Sequence, residues 1–222
     1  MSRPIERTWE YDRLGLPFPT NLYKLIESRF GDVASLEPIL RFSLQASSEL
    51  GVWCADRVWQ HALSDEALPR LEGKIKVAQG DALSEKLERE ISRVREAHDF
   101  IKKHESSNLR SVSDLSPKVQ VLYNKLGYHF SHQRETKCII FTQRRYTARI
   151  LFELFSVLNM PYLRPGLLIG IRSGDIGGMN ITFRQQFLAL MKFRDGDTNC
   201  LVSPKCHGFL CRSLTAISLL LQ

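Results

Sequence analysis

KCIIFTQRRYTARILFELFSVLNMPYLRPGLLIGIRSGDIGGMNITFRQQFLALMKFRDGDTNCL (residues 137–201) decides the fold class. An apolar run at residues 138–142 precedes a helical pattern of Ala148, Leu151, Leu154, Phe155 and Leu158. After Pro161 come a second apolar run at residues 167–171 and a Gly-rich loop. A second helix is then opened by Thr182-x-x-Gln185 and closed at Asp195-Gly196, and a third run starts at Asn199. In such a start the Thr hydroxyl accepts a bond from a free helical N–H while the Gln amide reaches back to the cap. Short apolar runs separated by helices of about 12–15 residues imply right-handed crossovers and a parallel sheet. The stretch predicts part of an α/β domain.

The charge is placed unevenly around it. The 222-residue chain carries a formal net charge of +7. Nine basic residues in residues 137–196 (Lys137, Arg144, Arg145, Arg149, Arg164, Arg172, Arg184, Lys192, Arg194) face three acids (Glu153, Asp175, Asp195). Such a surplus suits a surface that meets a polyanion. With 43% hydrophobic and 25% charged residues, the composition is that of a globular protein of one or two domains. No apolar stretch approaches the about 20 residues of a membrane helix, and the charged start MSRPIERTWEYDR has no secretory apolar core. An intracellular site, cytoplasmic or nuclear, is expected, with no membrane partner. Cys54, Cys138, Cys200, Cys206 and Cys211 show no paired spacing, so reduced thiols are expected.

Working toward the amino terminus, Ser116-Pro117 opens a helix with Leu122, Leu126 and Phe130 on its apolar face. The polar segment 105–114 (ESSNLRSVSD) reads as a linker. Residues 21–104 keep a helical period throughout and predict four or five helices forming a small bundle. The stripes are Leu22, Leu25, Ile26 and Phe30; then Pro38, Leu40 and Leu44, and Leu50, Trp53, Cys54, Val58, Trp59 and Ala62; then Leu87, Ile91, Val94 and Ile101 on a helix from Ser84 to His104. Glu85 and Glu88 in its first turn, with Lys102, Lys103 and His104 in its last, agree with the helix dipole. Trp53 and Trp59 read as core, and His61, His98 and His104 have no partner at metal spacing. Residues 1–20 mix Pro4, Pro17 and Pro19 with Trp9, Tyr11 and Phe18, as an extended linker would.

The order KCIIFT-x-RRYTA, RPGLLIG, SGD-x-x-GMN-x-TFRQQ, MKFR-x-G, NCL resembles the second RecA-like helicase domain of Dicer, and most closely that of the fungal Dicer-like proteins. QASSELGVWCADRVWQHAL resembles their helical insertion, and SPKVQVL the helix returning to the second domain. The resemblance implies an all-α module over residues 21–104 followed by a partial RecA-like domain over residues 115–202. It also implies double-stranded RNA as partner in RNA silencing, and a parent family of ATP-dependent helicases with ribonuclease III activity. As RNA contacts it implies Thr142, Gln143, Arg144 and Arg145 at the first strand's end. From the Gly-rich loop and the following helix it implies Arg172, Ser173, Gly174, Met179, Thr182 and Gln185.

The chemistry of the parent family is not carried by these residues. No Gly-rich cradle ends in Gly-Lys-Ser/Thr, no Asp-Glu-x-His/Asp tetrad occurs, and no ribonuclease III carboxylate cluster is present. Although the family uses ATP and Mg²⁺, no cofactor and no catalytic residue is expected in this chain, which should be inactive alone. The alternative reading is a non-catalytic protein-interaction module built on the helical bundle. Cys200, Cys206, His207 and Cys211 lack the spacing of a zinc site, so no metal is expected.

Residues 203–222 are expected to be an aberrant tail outside the family pattern. The resemblance calls for Ala-Thr-Ser-Val-Ala-Glu-Glu-Gly, then Ile-Pro-Asp-Cys-Asn-Leu, after NCL. Here VSPKCHGFLCRSLTAISLLLQ follows, and codons for Asp-Cys-Asn-Leu read one base late give Thr215, Ala216 and Ile217. The Leu219-Leu220-Leu221 run is expected to lack a partner.

Overall fold

The computed structural model describes residues 18–79, 84–104, 109, 112–133, 136–170, 182–204 and 217–220. They divide into two compact units, the first reaching Gln120 and the second beginning at Val121.

The first unit is all helical: α1 (Asn21–Phe30), α2 (Glu37–Glu49), α3 (Val52–Ala62), α4 (Leu68–Gln79) and α5 (Ser84–Lys103), with a 3-10 turn at Ala34–Leu36. Helix α1 starts where Thr20 Oγ1 accepts from Tyr23 N at 3.1 Å, and the same hydroxyl donates to Asp56 Oδ1 of α3 at 2.9 Å. One side chain thus caps a helix and ties it to another. Ile26, Leu36, Val58, Trp59 and Val94 are wholly buried, and Trp53 lies in the same core. The expected stripes are buried except at Leu25, which is 40% exposed, at Pro38, which is exposed, and at Leu44 and Leu87, which are half-buried. Of the amino-terminal linker, residues 1–17 lie outside the described residues; Phe18 is buried and its N–H donates to Ser47 Oγ at 3.3 Å.

The connection out of this unit is anchored, not loose, where it is described. After a 3-10 turn at Val112–Asp114, Ser116 N donates to Leu50 O at 3.1 Å and Ser116 Oγ to Glu49 O at 2.6 Å. Gly51, in the turn between α2 and α3, bridges Leu115 with φ of 112°. A Cβ there would stand 2.8 Å from Asp114 O and 2.9 Å from Leu115 Cα, so only glycine fits both the angle and the approach. Ser116 then caps α6 (Pro117–His132) by accepting from Val119 N at 3.2 Å. Helical contacts therefore continue past Leu115, near which the sequence suggests the domain break.

The second unit is a parallel α/β layer. Strand β1 (Cys138–Thr142) leads into α7 (Arg145–Leu158), followed by β2 (Pro165–Leu167), α8 (Phe183–Asp195), β3 (Cys200–Pro204) and β4 (Ile217–Leu220). The sheet order is β2-β3-β1-β4, all parallel, with Cys138 opposite Cys200 and Ile217, and Pro165 opposite Cys200. Ile139 and Leu201 pack with Phe193 of α8 and Leu190 on one face. By the two-residue period of a strand, Ile140 and Val202 point to the other face. Helix α7, with Ile150, Leu151, Leu154 and Phe155 buried, packs on the sheet.

Two expectations change here. The second strand is Pro165–Leu167, not residues 167–171. It is an edge strand, where a leading proline without an N–H is tolerated, and its ladder to β3 begins at Pro165. Leu219 and Leu220 of the carboxyl-terminal apolar run are not without a partner, because Ile217–Leu220 pairs with β1, while Leu221 lies outside the described residues. Otherwise the fold class is the expected one, a helical module followed by a partial parallel α/β domain.

Candidate nucleic-acid interface

In a parallel sheet all strands end at one edge, and ligands of open α/β folds bind there. Helix α7 leaves this edge after β1, and α8, which runs back to the start of β3, begins beside it. Two helix amino termini are thereby brought to the edge where Thr142 and Pro204 end their strands.

Six of the ten expected contacts fall among the described residues. Thr142 is buried, and its hydroxyl donates to Arg144 O at 2.8 Å, shaping the turn. Gln143 and Arg144 are exposed, Arg144 being the extended N-cap of α7, and Arg145 is half-buried at its first position. Arg149, one turn on, bonds Glu153 at 3.2 Å. At α8, Thr182 Oγ1 accepts from Gln185 N at 3.3 Å while Gln185 Oε1 accepts from Thr182 N at 2.8 Å. These two side chains are therefore committed to each other as a capping box. Their role at the edge is to hold the turn that presents Phe183 and Arg184, both exposed. Arg172, Ser173, Gly174 and Met179 lie outside the described residues.

The electrostatics of the two helix starts are unusual. A helix amino terminus carries about half a positive charge, so acids are favoured in the first turn and bases are not. Neither α7 nor α8 has an acid there, and both have an arginine, Arg145 and Arg184 respectively. A bound anion would relieve both. Arg184 is the residue that sequence reasoning passed over. Its signal was available: an arginine two places after a capping Thr, with no acid in the same turn. Lys137 is also basic but is spent elsewhere, donating to Arg194 O at 2.7 Å at the carboxyl terminus of α8 and lying over the Phe193 ring.

The sequence has no Gly-Lys-Ser/Thr cradle, and no group of three His, Cys, Asp or Glu converges among the described residues. Cys206, His207 and Cys211 lie outside them. Among the described residues, no helix is long and apolar enough to cross a membrane.

Comparison with known proteins adds to this geometry. Over 202 residues, 90% of this chain, it is 57% identical to Dicer-like protein 1 of Aspergillus oryzae. The chain matches a segment of Dicer-like protein 1. The same protein of Aspergillus clavatus is 57% identical over 205 residues, and that of Phaeosphaeria nodorum is 32% identical over 206. The chain spans only 13% of the length of the two Aspergillus Dicer-like proteins. No family model matches it. A crystal structure of the C-terminal part of the Fun30 ATPase domain aligns with a TM-score of 0.36 and 15% identity, covering 85% of this chain and 70% of that one.

Proposed function

We propose that this chain is the helical insertion and the opening of the second RecA-like domain of a Dicer-like helicase region, and that it touches the backbone of double-stranded RNA. The observation that carries the reading is the pair of helix starts at the sheet's carboxyl edge, each with an arginine and no acid in its first turn. A-form RNA offers phosphates and 2′-hydroxyls and little readable base edge. Exposed Gln143, Arg144 and Arg184, half-buried Arg145 and the free N–H groups of a helix start are donors of the right kind. Binding of this sort is independent of sequence and weakens as salt rises. Similarity to Dicer-like protein 1 supports RNA silencing as the setting in which the parent protein acts. The chain by itself is read as catalytically silent, since the phosphate cradle and metal carboxylates are not among its residues.

Fluorescence anisotropy with a labelled duplex of arbitrary sequence tests this. The expected result is weak binding that loses affinity from 50 to 200 mM salt, with no ATP turnover in the same preparation. The double variant Arg144→Ala, Arg145→Ala should weaken binding by about tenfold or more for any sequence, as loss of charged hydrogen bonds implies. Unchanged affinity in that variant would remove this edge as the RNA contact.

A further inference from the structure

The cysteines of the described residues, Cys54, Cys138 and Cys200, are all free and buried, and two of them meet. Cys138 opens β1, Cys200 opens β3, and they are register partners in the parallel ladder. Register partners project to the same face of a sheet, from strands about 4.8 Å apart. That spacing lies inside the about 4.4–6.8 Å range of Cα separations a disulfide spans. The two thiols therefore start from neighbouring positions on adjacent strands. The Cys138 thiol beside it and its own burial push the Cys200 thiol well above its usual value, so it is held protonated. At the opposite end of both strands lie the residues of the candidate RNA edge, so the pair forms a separate site.

We propose that Cys138 and Cys200 form a cross-strand redox pair that a small neutral peroxide closes to a disulfide. With exposures of 3% and 0%, the thiols exclude a bulky oxidant and favour one the size of hydrogen peroxide. The Cys138 sulfur, the more accessible of the two, attacks the O–O bond, which breaks to leave a sulfenic acid and release water. The Cys200 thiol then attacks that sulfur and gives its proton to the sulfenic oxygen, so that the S–O bond breaks, the S–S bond forms and a second water leaves. Two electrons pass from the thiols to the peroxide, and both thiol protons end in water. A low-mass dithiol reverses the closure by exchange. The bond would enclose α7, β2 and α8 in one covalent loop, which restricts the unfolded chain and stabilises the folded one.

The test uses the whole chain, treated with hydrogen peroxide, denatured, alkylated and digested without reductant. A Cys138–Cys200 linked peptide, two hydrogen atoms lighter than its separate parts, is expected, with the melting temperature raised by about 5 °C. Both changes should reverse with dithiothreitol, vanish in Cys138→Ala and Cys200→Ala, and persist in Cys54→Ser. Should the alanine variants fail to fold, the triple variant Cys54→Ser, Cys206→Ser, Cys211→Ser must still give the link. Recovery of both cysteines as alkylated thiols or as separate sulfinic acids overturns the proposal. So does pairing of either with another cysteine.

Discussion

Helix α5 and helices α7 and α8 treat charge at their amino termini in opposite ways. Helix α5 opens with Glu85 and closes with Lys102 and Lys103, so its dipole is answered by its own side chains. Helices α7 and α8 open on arginines with no acid in the first turn. Both units also carry ion pairs within single helices, such as Arg41–Glu37 and Arg89–Glu85 in the helical unit. In the helical unit, ion pairs cross between elements: Arg95 bonds Glu72 at 2.7 Å, Arg93 bonds Asp32 at 3.2 Å, and Lys102 bonds Asp65 at 3.0 Å. In the α/β unit, Arg149–Glu153 and Arg194–Asp195 pair within a single helix. At the carboxyl edge of the sheet the two helix starts carry Arg145 and Arg184 with no acid in the first turn.

The sharpest way to break this comparison is to remove the scaffold. Trp59 is wholly buried in the helical core. Trp59→Ala should destabilise that unit by about 3–5 kcal/mol, read as loss of helical circular dichroism at a lower temperature. If the α/β unit melts with it in one transition, the two regions do not fold as separable units.

A smaller effect is expected at Asn199, which holds the backbone leading into β2. Its Oδ1 accepts from Arg164 N at 2.8 Å and its Nδ2 donates to Tyr162 O at 2.8 Å, where Tyr162 has φ of 65°. Asn199→Ala should cost about 2 kcal/mol, because two backbone groups lose their partners. Chemical denaturation monitored in the α/β unit measures it. No change would mean that this turn is held by its neighbours and not by the amide.

The smallest effect concerns Glu72. The bond from Arg95 holds its carboxyl below the usual carboxylate range, against a smaller opposing push from burial. A lowered folded value contributes stability above the ordinary carboxylate range, and that stability fades as pH falls through the lowered value. In Glu72→Gln the acid side of the stability profile should therefore flatten slightly while the neutral side drops a little. An unaltered pH profile would place the acid sensitivity of the unit elsewhere.

Much of this was legible beforehand because it is local. The capping box at Thr182 and Gln185, the stop at Gly196 with φ of 89°, and the cap at Ser116 depend on residues within four positions of one another. Strand β1 and the stripes of α3 and α5 follow from period alone. Strand β2 was misplaced because the longer apolar run, residues 167–171, competes with the ladder, and only β3 decides that pairing starts at Pro165. The pairing of Ile217–Leu220 with β1 is likewise a long-range choice that no local signal marks. At the candidate edge, residue types were readable but their allegiances were not. Thr142, Thr182 and Gln185 carry groups suited to RNA, yet the described geometry engages them in the protein's own turns, and Arg184 emerges as the presented cation.

The corner at Gly51 sets where mechanical load enters the helical unit. Because Leu115 bridges Gly51 and Ser116 is bonded to both Leu50 and Glu49, tension on the start of α6 is delivered to the turn between α2 and α3. Pulled in an optical trap from a handle on α6, the chain should yield first by peeling α6 from that corner. A side chain in place of the Gly51 hydrogen should lower the force at which it does so.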